Sequence, residues 1–446
     1  MYIRDILRFS NLEEKIVAAL IFLFPVFFLT IKGWTNGICS LMLLVSFSAF
    51  FTNVKCYFFE RDRRIWFVVA VFFLPLLCEI TVQLLRYSIY STPFHGPSID
   101  TVMRPAAAGL FFLFLSRYPH QDFFRCLSTG CIVGGIVALI NEILFGVHWM
   151  GSERGSSYFT DPNTFGVYSG ALGILAYLGL VCEKTHLTRI IKILSLTITL
   201  YLAVISESRS ALLAACVLGL FIVIVELRKK IALSIAACGY FIFIATTFLV
   251  FAYVDFWRVG EILPEVNYYL NEAAPKETSI GSRIDLVILD FKMFQLSPFL
   301  GWVDGSTPAP EVLTSIMPSI APDTLHIKIY SGSHVELLNW IVKQGVFGFI
   351  SIFSIFLFPL YKGITFLRKN EGKHFGCKLA LVALPLIISI SGLGVQTLNL
   401  KMSITFYSFS IATILAVSVS WRGAVKSPCP TMGSPKINDS HEIQRG

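Results

Sequence analysis

The sequence predicts an all-α polytopic membrane protein with about twelve transmembrane helices. Three observations carry this. Hydrophobic residues make up 55% of the 446 residues and charged residues only 14%. A water-facing surface needs roughly 25% charge across the chain, so most of the outer surface faces lipid. Apolar runs of about 17–25 residues, long enough to cross roughly 30 Å of hydrocarbon, recur along the chain. Lys and Arg collect in alternate loops between those runs. Disordered, collagenous and nucleic-acid-binding readings fail on the same numbers. The net charge of +8 comes from basic residues at span ends rather than from a nucleic-acid footprint.

The runs lie near 16–31, 35–53, 65–84, 102–116, 126–146, 164–182, 190–205, 210–227, 231–253, 336–360, 378–395 and 402–420. The first is long and has no convincing small-residue cleavage site, so no signal peptide is expected. No internal repeat is visible. With the N-terminus in the cytoplasm, 24 of the 36 Lys and Arg fall in cytoplasmic loops and the tail. An even number of spans returns the C-terminus to the cytoplasm. The ten Cys, among them Cys78, Cys126 and Cys131, lie mostly in or beside apolar runs and read as packing residues. No CxxC and no Cys/His metal spacing occurs.

This gives four regions: N-terminal helices over 1–253, an outer loop over 254–335, C-terminal helices over 336–420 and a disordered tail over 421–446. The outer loop carries Pro264, Pro275, Pro298, Pro308, Pro310, Pro318 and Pro322. Loops of such length are usually functional. Within it, 281–296 reads as an amphipathic helix with Ile284, Val287, Ile288, Phe291 and Phe294 on one face, suited to a membrane surface.

Ionisable groups at outer span ends are the informative ones, because burial near lipid is costly. Arg104 follows Asp100 at the start of a span. Arg154 sits in Gly-Ser-Glu-Arg-Gly-Ser-Ser. Arg209 sits in Ser206-Glu207-Ser208-Arg209-Ser210, Arg283 in Gly281-Ser282-Arg283, and His334 closes Ser331-Gly332-Ser333-His334. By the loop charges all five face the outer side. Arg grips phosphate oxygens with a bidentate fork, and His takes a proton near neutral pH. Such a set suits a reaction with a diphosphate leaving group. A single Arg at a span end more often snorkels to the headgroups, and a lone His before a helix more often caps or packs. The small-residue settings of Arg209, Arg283 and His334 weigh against that bland reading.

The outer face holds no ATP, and the chain has neither a GxxxxGK[ST] loop nor a GxGxxG turn. No HExxH occurs. Energy must come from the substrate itself, such as a lipid-linked activated sugar, or from an ion gradient. A transporter would be expected to show intramembrane acids in repeated halves. Glu79 and Glu142 are the main acids within runs, and no halves signature accompanies them.

Taken in order, these motifs resemble a known family. A Ser-Arg-Ser opens a helix. A long outer loop follows with Gly-Ser-Arg and Pro298-Phe299-Leu300-Gly301, then His334, then Gly345-Val346-Phe347-Gly348. Arg154 to Gly166, through Asp161-Pro162-Asn163, is similar to an Arg-to-Pro-Asn-x-x-Gly segment. Leu398-Asn399-Leu400-Lys401, followed by Phe406-Tyr407, is similar to the ligase branch. The set resembles the O-antigen ligase and O-antigen polymerase superfamily of Gram-negative inner membranes, over roughly residues 100–415.

The resemblance implies a helical glycosyltransferase of the GT-C type that needs no metal and no cofactor. It would move a glycan from undecaprenyl diphosphate to a hydroxyl acceptor at the periplasmic face. In a ligase the acceptor is lipid A–core, giving lipopolysaccharide; in a polymerase it is another lipid-linked repeat unit. By motif, Arg209 and Arg283 would grip the diphosphate and His334 would assist acceptor deprotonation. Arg104 and Arg154 would be further substrate-binding residues. The ligase branch often has an acid in a Gly-Leu-Thr-Glu or Gly-Leu-Thr-Asp step, where this chain reads Gly392-Leu393-Gly394-Val395-Gln396. The ligase is therefore the first expectation, the polymerase the second, and a flippase or transporter of lipid-linked glycans the third.

Overall fold

The computed structural model describes residues 12–52, 63–146, 154–180, 185–211, 279–302, 310–331, 335–369 and 375–418, apart from positions 117, 119, 120, 209, 319, 321 and 399; residues 215, 219 and 267 are described besides. Its regular elements there are all helical. They are α1 (Leu12–Val26), α2 (Trp34–Thr52), α3 (Arg63–Tyr90), α4 (Gly96–Leu115), α5 (Gln121–Phe145), α6 (Pro162–Leu180) and α7 (His186–Ile205). Then come α8 (Ser279–Leu296), α9 (Pro310–Ile316), α10 (Pro322–Ser331), α11 (Glu336–Gln344) and α12 (Val346–Ile352). A π-helical turn at Phe353–Leu357 leads into α13 (Phe358–Lys369), and α14 (Phe375–Ser391) and α15 (Lys401–Ser418) complete the set.

Six of these helical stretches are long and apolar enough to cross a membrane: Arg63–Tyr90, Gly96–Leu115, Asp122–Phe145, His186–Ile205, Val346–Arg368 and Lys401–Ser418. Trp34–Ser48 and Phe375–Ser391 are shorter apolar helices. The run expected near 210–227, apart from residues 210, 211, 215 and 219, the run near 231–253 and the tail over 421–446 lie outside the described residues.

In lipid, burial of apolar surface does not drive one helix onto another, so close packing must. Helix α5 supplies it with glycines facing α1. A Cβ on Gly130 would stand 2.1 Å from Phe22 O, and one on Gly134 would stand 2.4 Å from Pro25 O. Helices α6 and α15 form the centre. Every α6 residue except Asn163 and Gly179 is buried. Phe28, just past α1, stacks on Phe406 of α15 at 4.3 Å and meets Tyr168 of α6 edge-on at 5.2 Å. Such pairs contribute about 0.5–1.5 kcal/mol each beyond their burial. The π-helical turn leaves backbone carbonyls free for side-chain donors. The Ile355 carbonyl accepts from the Tyr407 hydroxyl at 2.7 Å, and the Ser354 hydroxyl donates to the Val71 carbonyl of α3.

One expected span is two helices. The run 336–360 breaks at Gly345, and the membrane-crossing stretch starts at Val346. Gly345 has φ +58° and so does Gly301. Both lie in the left-handed region that glycine occupies without a Cβ penalty. The two turns meet backbone to backbone. Val346 N–H donates to Pro298 O at 2.8 Å, and Trp302 N–H donates to Val342 O at 2.6 Å. A Cβ on Gly345 would stand 2.5 Å from the Phe299 carbonyl, and one on Gly301 would stand 2.5 Å from the Gly345 nitrogen. Pro298–Gly301 and Gly345–Gly348 are thus two halves of one crossing.

The crossing fastens α8–α11 into a small second core of Leu289, Met293, Leu313, Met317, Ile320 and Val342. Helix α8 forms where the sequence placed an amphipathic helix, but its buried face is a different one. Leu286, Leu289 and Met293 face inward, together with Asp285 and Asp290. Val287, Ile288 and Phe291 point outward, Phe291 with 55% of its surface exposed. Asp290 makes a buried ion pair with Lys328 of α10, which offsets the desolvation of both charges. With Asp290 paired inward and Asp285 buried, α8 turns Val287, Ile288 and Phe291 outward.

Gly345→Ala is expected to cost about 3 kcal/mol or more, from left-handed strain and overpacking against Phe299. Gly37→Ala, at a helical site with nothing within 4 Å of the added Cβ, is the control and should be nearly neutral. Thermal unfolding of the two detergent-purified variants checks this; equal midpoints would refute the reading of the crossing.

Candidate functional site

Of the five ionisable residues singled out in the sequence, Arg104, Arg154 and Arg283 lie among the described residues. Arg154 lies in the turn before α6. Its guanidinium donates to Ser206 O at 2.9 Å and 3.1 Å, to Glu207 O at 3.1 Å and to Asn163 Oδ1 at 3.3 Å. Gly155 N–H donates to Ile205 O at 2.7 Å. The last carbonyls of a helix have no partner within it. Arg154 and Gly155 satisfy those at the end of α7. A charge-assisted hydrogen bond contributes about 1.5–3 kcal/mol. Asp161 caps α6 by accepting from Thr164 N–H at 3.1 Å. Gly166 then packs on Ser206, where a Cβ would stand 2.2 Å from Ser206 Oγ. Arg154, Asp161, Asn163 and Gly166 therefore act together: they hold the turn that leads to Ser208-Arg209-Ser210. Glu207 in that turn has φ +48°, a left-handed conformation for a non-glycine residue.

Arg209 and His334 themselves lie outside the described residues. Their neighbours are placed. Ser208 Oγ accepts from Ala211 N–H at 3.3 Å, the pattern of a helix N-cap. The Ser210 carbonyl accepts from Ser391 Oγ at 3.2 Å. Arg283, on the first turns of α8, comes to the same place. A Cβ on Gly394 would stand 3.2 Å from Ser210 Oγ and 3.8 Å from an Arg283 guanidinium nitrogen. The structure therefore brings Arg283 beside the turn that carries Arg209, with Gly394 between them. The Gly392-Leu393-Gly394 step is glycine where bulk would press on both.

Arg104 joins a separate charged group. It pairs with Asp100 at 2.8 Å and donates to Asn36 Oδ1 at 2.8 Å. Lys401, at the head of α15, pairs with the other Asp100 oxygen. This ties α2, α4 and α15 together. One turn before Arg104, Ser98, Thr101 and Val102 line a cleft with Glu79, Glu336, Asn339, Trp340, Lys343, Gln344 and Leu398. The cleft holds about 380 Å³, counting its open mouth. Arg86, near the end of α3, donates to the Gly301 carbonyl and joins α3 to the glycine crossing.

Two carboxylates do work that the sequence did not reveal. Glu79 of α3 accepts from Gln83 Nε2 and from Gln344 Nε2, both at 2.7 Å, and Gln344 accepts from Ser351 Oγ at 2.6 Å. Fully satisfied, such a chain rigidifies the junction it crosses. Here it joins α3 to the α11–α12 corner. Glu336 opens α11 and is 1% exposed. Its carboxylate accepts from Trp340 Nε1 at 2.7 Å and from Leu398 N–H at 3.0 Å, and its own N–H donates to Gly392 O at 2.8 Å. Burial pushes the carboxyl up from its ordinary value; the Leu398 and Trp340 donors and Lys343 pull it back. The Glu-x-x-x-Trp spacing at the start of an apolar helix was the available signal.

Arg154→Ala should release the carbonyls of Ser206 and Glu207. Hydrogen exchange over 203–211 is expected to accelerate at least tenfold, while α5 and α6 stay slow. Unchanged exchange over that turn would remove Arg154 from this role.

Residues 194–353 match the family model described as O-antigen ligase. The matched segment contains Arg209, Arg283 and His334, the glycine crossing and Glu336, while Arg104, Arg154 and the 392–401 stretch lie outside it. No curated protein matches the chain. The match over residues 194–353, together with the ordered motifs, supports the O-antigen ligase and polymerase superfamily.

Proposed function

We propose that the protein is an O-antigen ligase. It transfers a glycan from undecaprenyl diphosphate to lipid A–core oligosaccharide at the periplasmic face of the bacterial inner membrane. In this reading the fold is GT-C-like, with about twelve spans and both termini in the cytoplasm. The observation that supports it best is Arg283 beside Ser210 and Gly394, next in the chain to Arg209, within the family-matched segment.

The proposed chemistry follows from the residue types. A hydroxyl oxygen of the acceptor attacks the anomeric carbon from the face opposite the phosphate. The carbon–oxygen bond to the diphosphate breaks, and the configuration inverts. Arg209 and Arg283 neutralise the charge that builds on the leaving diphosphate. His334 takes the hydroxyl proton. Arg154 serves through the turn it holds, and Arg104 through the charged group it shares with Asp100 and Lys401. The exposed apolar row of α8 faces membrane lipid and starts beside Arg283.

The test is glycan transfer by purified protein with undecaprenyl diphosphate-linked glycan and rough lipopolysaccharide, in chelator and without ATP. Glycan on lipid A–core is expected. Losing one pre-aimed donor typically costs roughly 10²–10³-fold in rate, so Arg209→Ala and Arg283→Ala should each fall by that much. His334→Ala should lose on the order of 10²–10⁴. Full transfer by both Arg283→Ala and His334→Ala would refute the site. Longer chains still on undecaprenyl diphosphate would point to the polymerase, which the Gly392–Gln396 stretch keeps as second reading. No product of either kind, with substrate shown to be competent, would move weight to a flippase.

A further inference from the structure

We infer that Glu336 is a positioning residue, the clasp that fixes the 392–398 turn against the Arg283 and Ser210 side of the site. The inference rests on the transferase reading above. Three contacts converge on this one residue. Its backbone N–H holds the start of the turn at Gly392 O, and its carboxylate holds the end at Leu398 N–H. The Trp340 indole N–H occupies the other carboxylate oxygen, four residues along the same helix.

The turn so held is the one that carries Gly394 to Ser210 and Arg283. It is also pinned from α6, where Tyr168 OH donates to Thr397 O at 2.9 Å. The fit at its start is tight: a Cβ on Gly392 would stand 2.9 Å from Glu336 Cβ. Glu336 follows His334 by two residues, so the same clasp sets where α11 begins after His334. A buried carboxylate with two N–H donors on two different segments fixes distance and direction together. Gln cannot replace it, because one of the two acceptors becomes an N–H donor facing another donor. Loss of the clasp frees the turn without removing any group that touches the substrate.

The transfer assay, run over donor concentration, separates this from a general packing role. Glu336→Gln and Glu336→Ala should lower kcat at least tenfold, with KM for the lipid-linked donor changed less than threefold. Trp340→Phe keeps the Leu398 arm and should lose threefold at most. Gly392→Ala pushes the turn from the other side and should lower kcat tenfold while leaving Glu336 in place; it carries the test if the Glu336 variants do not fold. Wild-type kcat in Glu336→Ala or in Gly392→Ala overturns the inference. So does a loss seen as raised KM at unchanged kcat, or a Trp340→Phe as damaging as Glu336→Ala. Arg283→Ala run alongside keeps the two readings apart. If it is inactive while Glu336→Ala is normal, only the clasp fails; if it too is normal, the transferase site fails.

Discussion

The contact between Gly301 and Gly345 is the constraint on which the rest of this end of the molecule depends. Two chain reversals at φ +58° touch through bare backbone, at separations no side chain allows. One follows α8 and the other stands just before a helical stretch long and apolar enough to cross a membrane. The meeting turns α11 out of line with α12, and it seats the second core on the bundle. It also supplies the carbonyl that Arg86 of α3 binds. Arg283 on α8 and Glu336 on α11 both sit on elements that this contact joins.

Around that joint the polar groups divide by task. Some arginines are spent on the protein itself. Arg154 finishes the backbone hydrogen bonding of α7, and Arg86 does the same for Gly301. Arg104 is balanced by Asp100, which Lys401 shares. Arg283 borders Gly394, which also borders Ser210.

The membrane character and most helix positions were legible because lipid leaves a coarse signature, apolar length. The order of short motifs was legible as a family resemblance, and the match over 194–353 agrees with it. What sequence did not show is direction. The run 336–360 reads as one span because Leu, Ile, Val and Phe continue through it, and only the backbone conformation of Gly345 breaks it. Helix α8 is apolar on two faces, so periodicity chose the outer row and missed that Leu286, Leu289 and Met293 pack inward. The carbonyl partners of Arg154, some fifty residues away in Ser206 and Glu207, leave no trace in composition. Glu336 was overlooked for the same reason, since its meaning lies in Leu398 and Gly392.

Those long separations bear on how the enzyme is made. Tyr168 binds Thr397, Ser210 binds Ser391, and Glu336 binds Leu398. Each partner on the late side comes from the last residue of α14 or from the stretch between α14 and α15. A ribosome inserting this chain delivers the early helices and the outer segment long before that stretch exists. Until it arrives, the turn that carries Gly394 is absent and the Ser208–Ser210 turn lacks one wall. A chain halted before residue 391 would therefore carry Arg154, Arg209 and Arg283 without the stretch that meets Tyr168, Ser210 and Glu336.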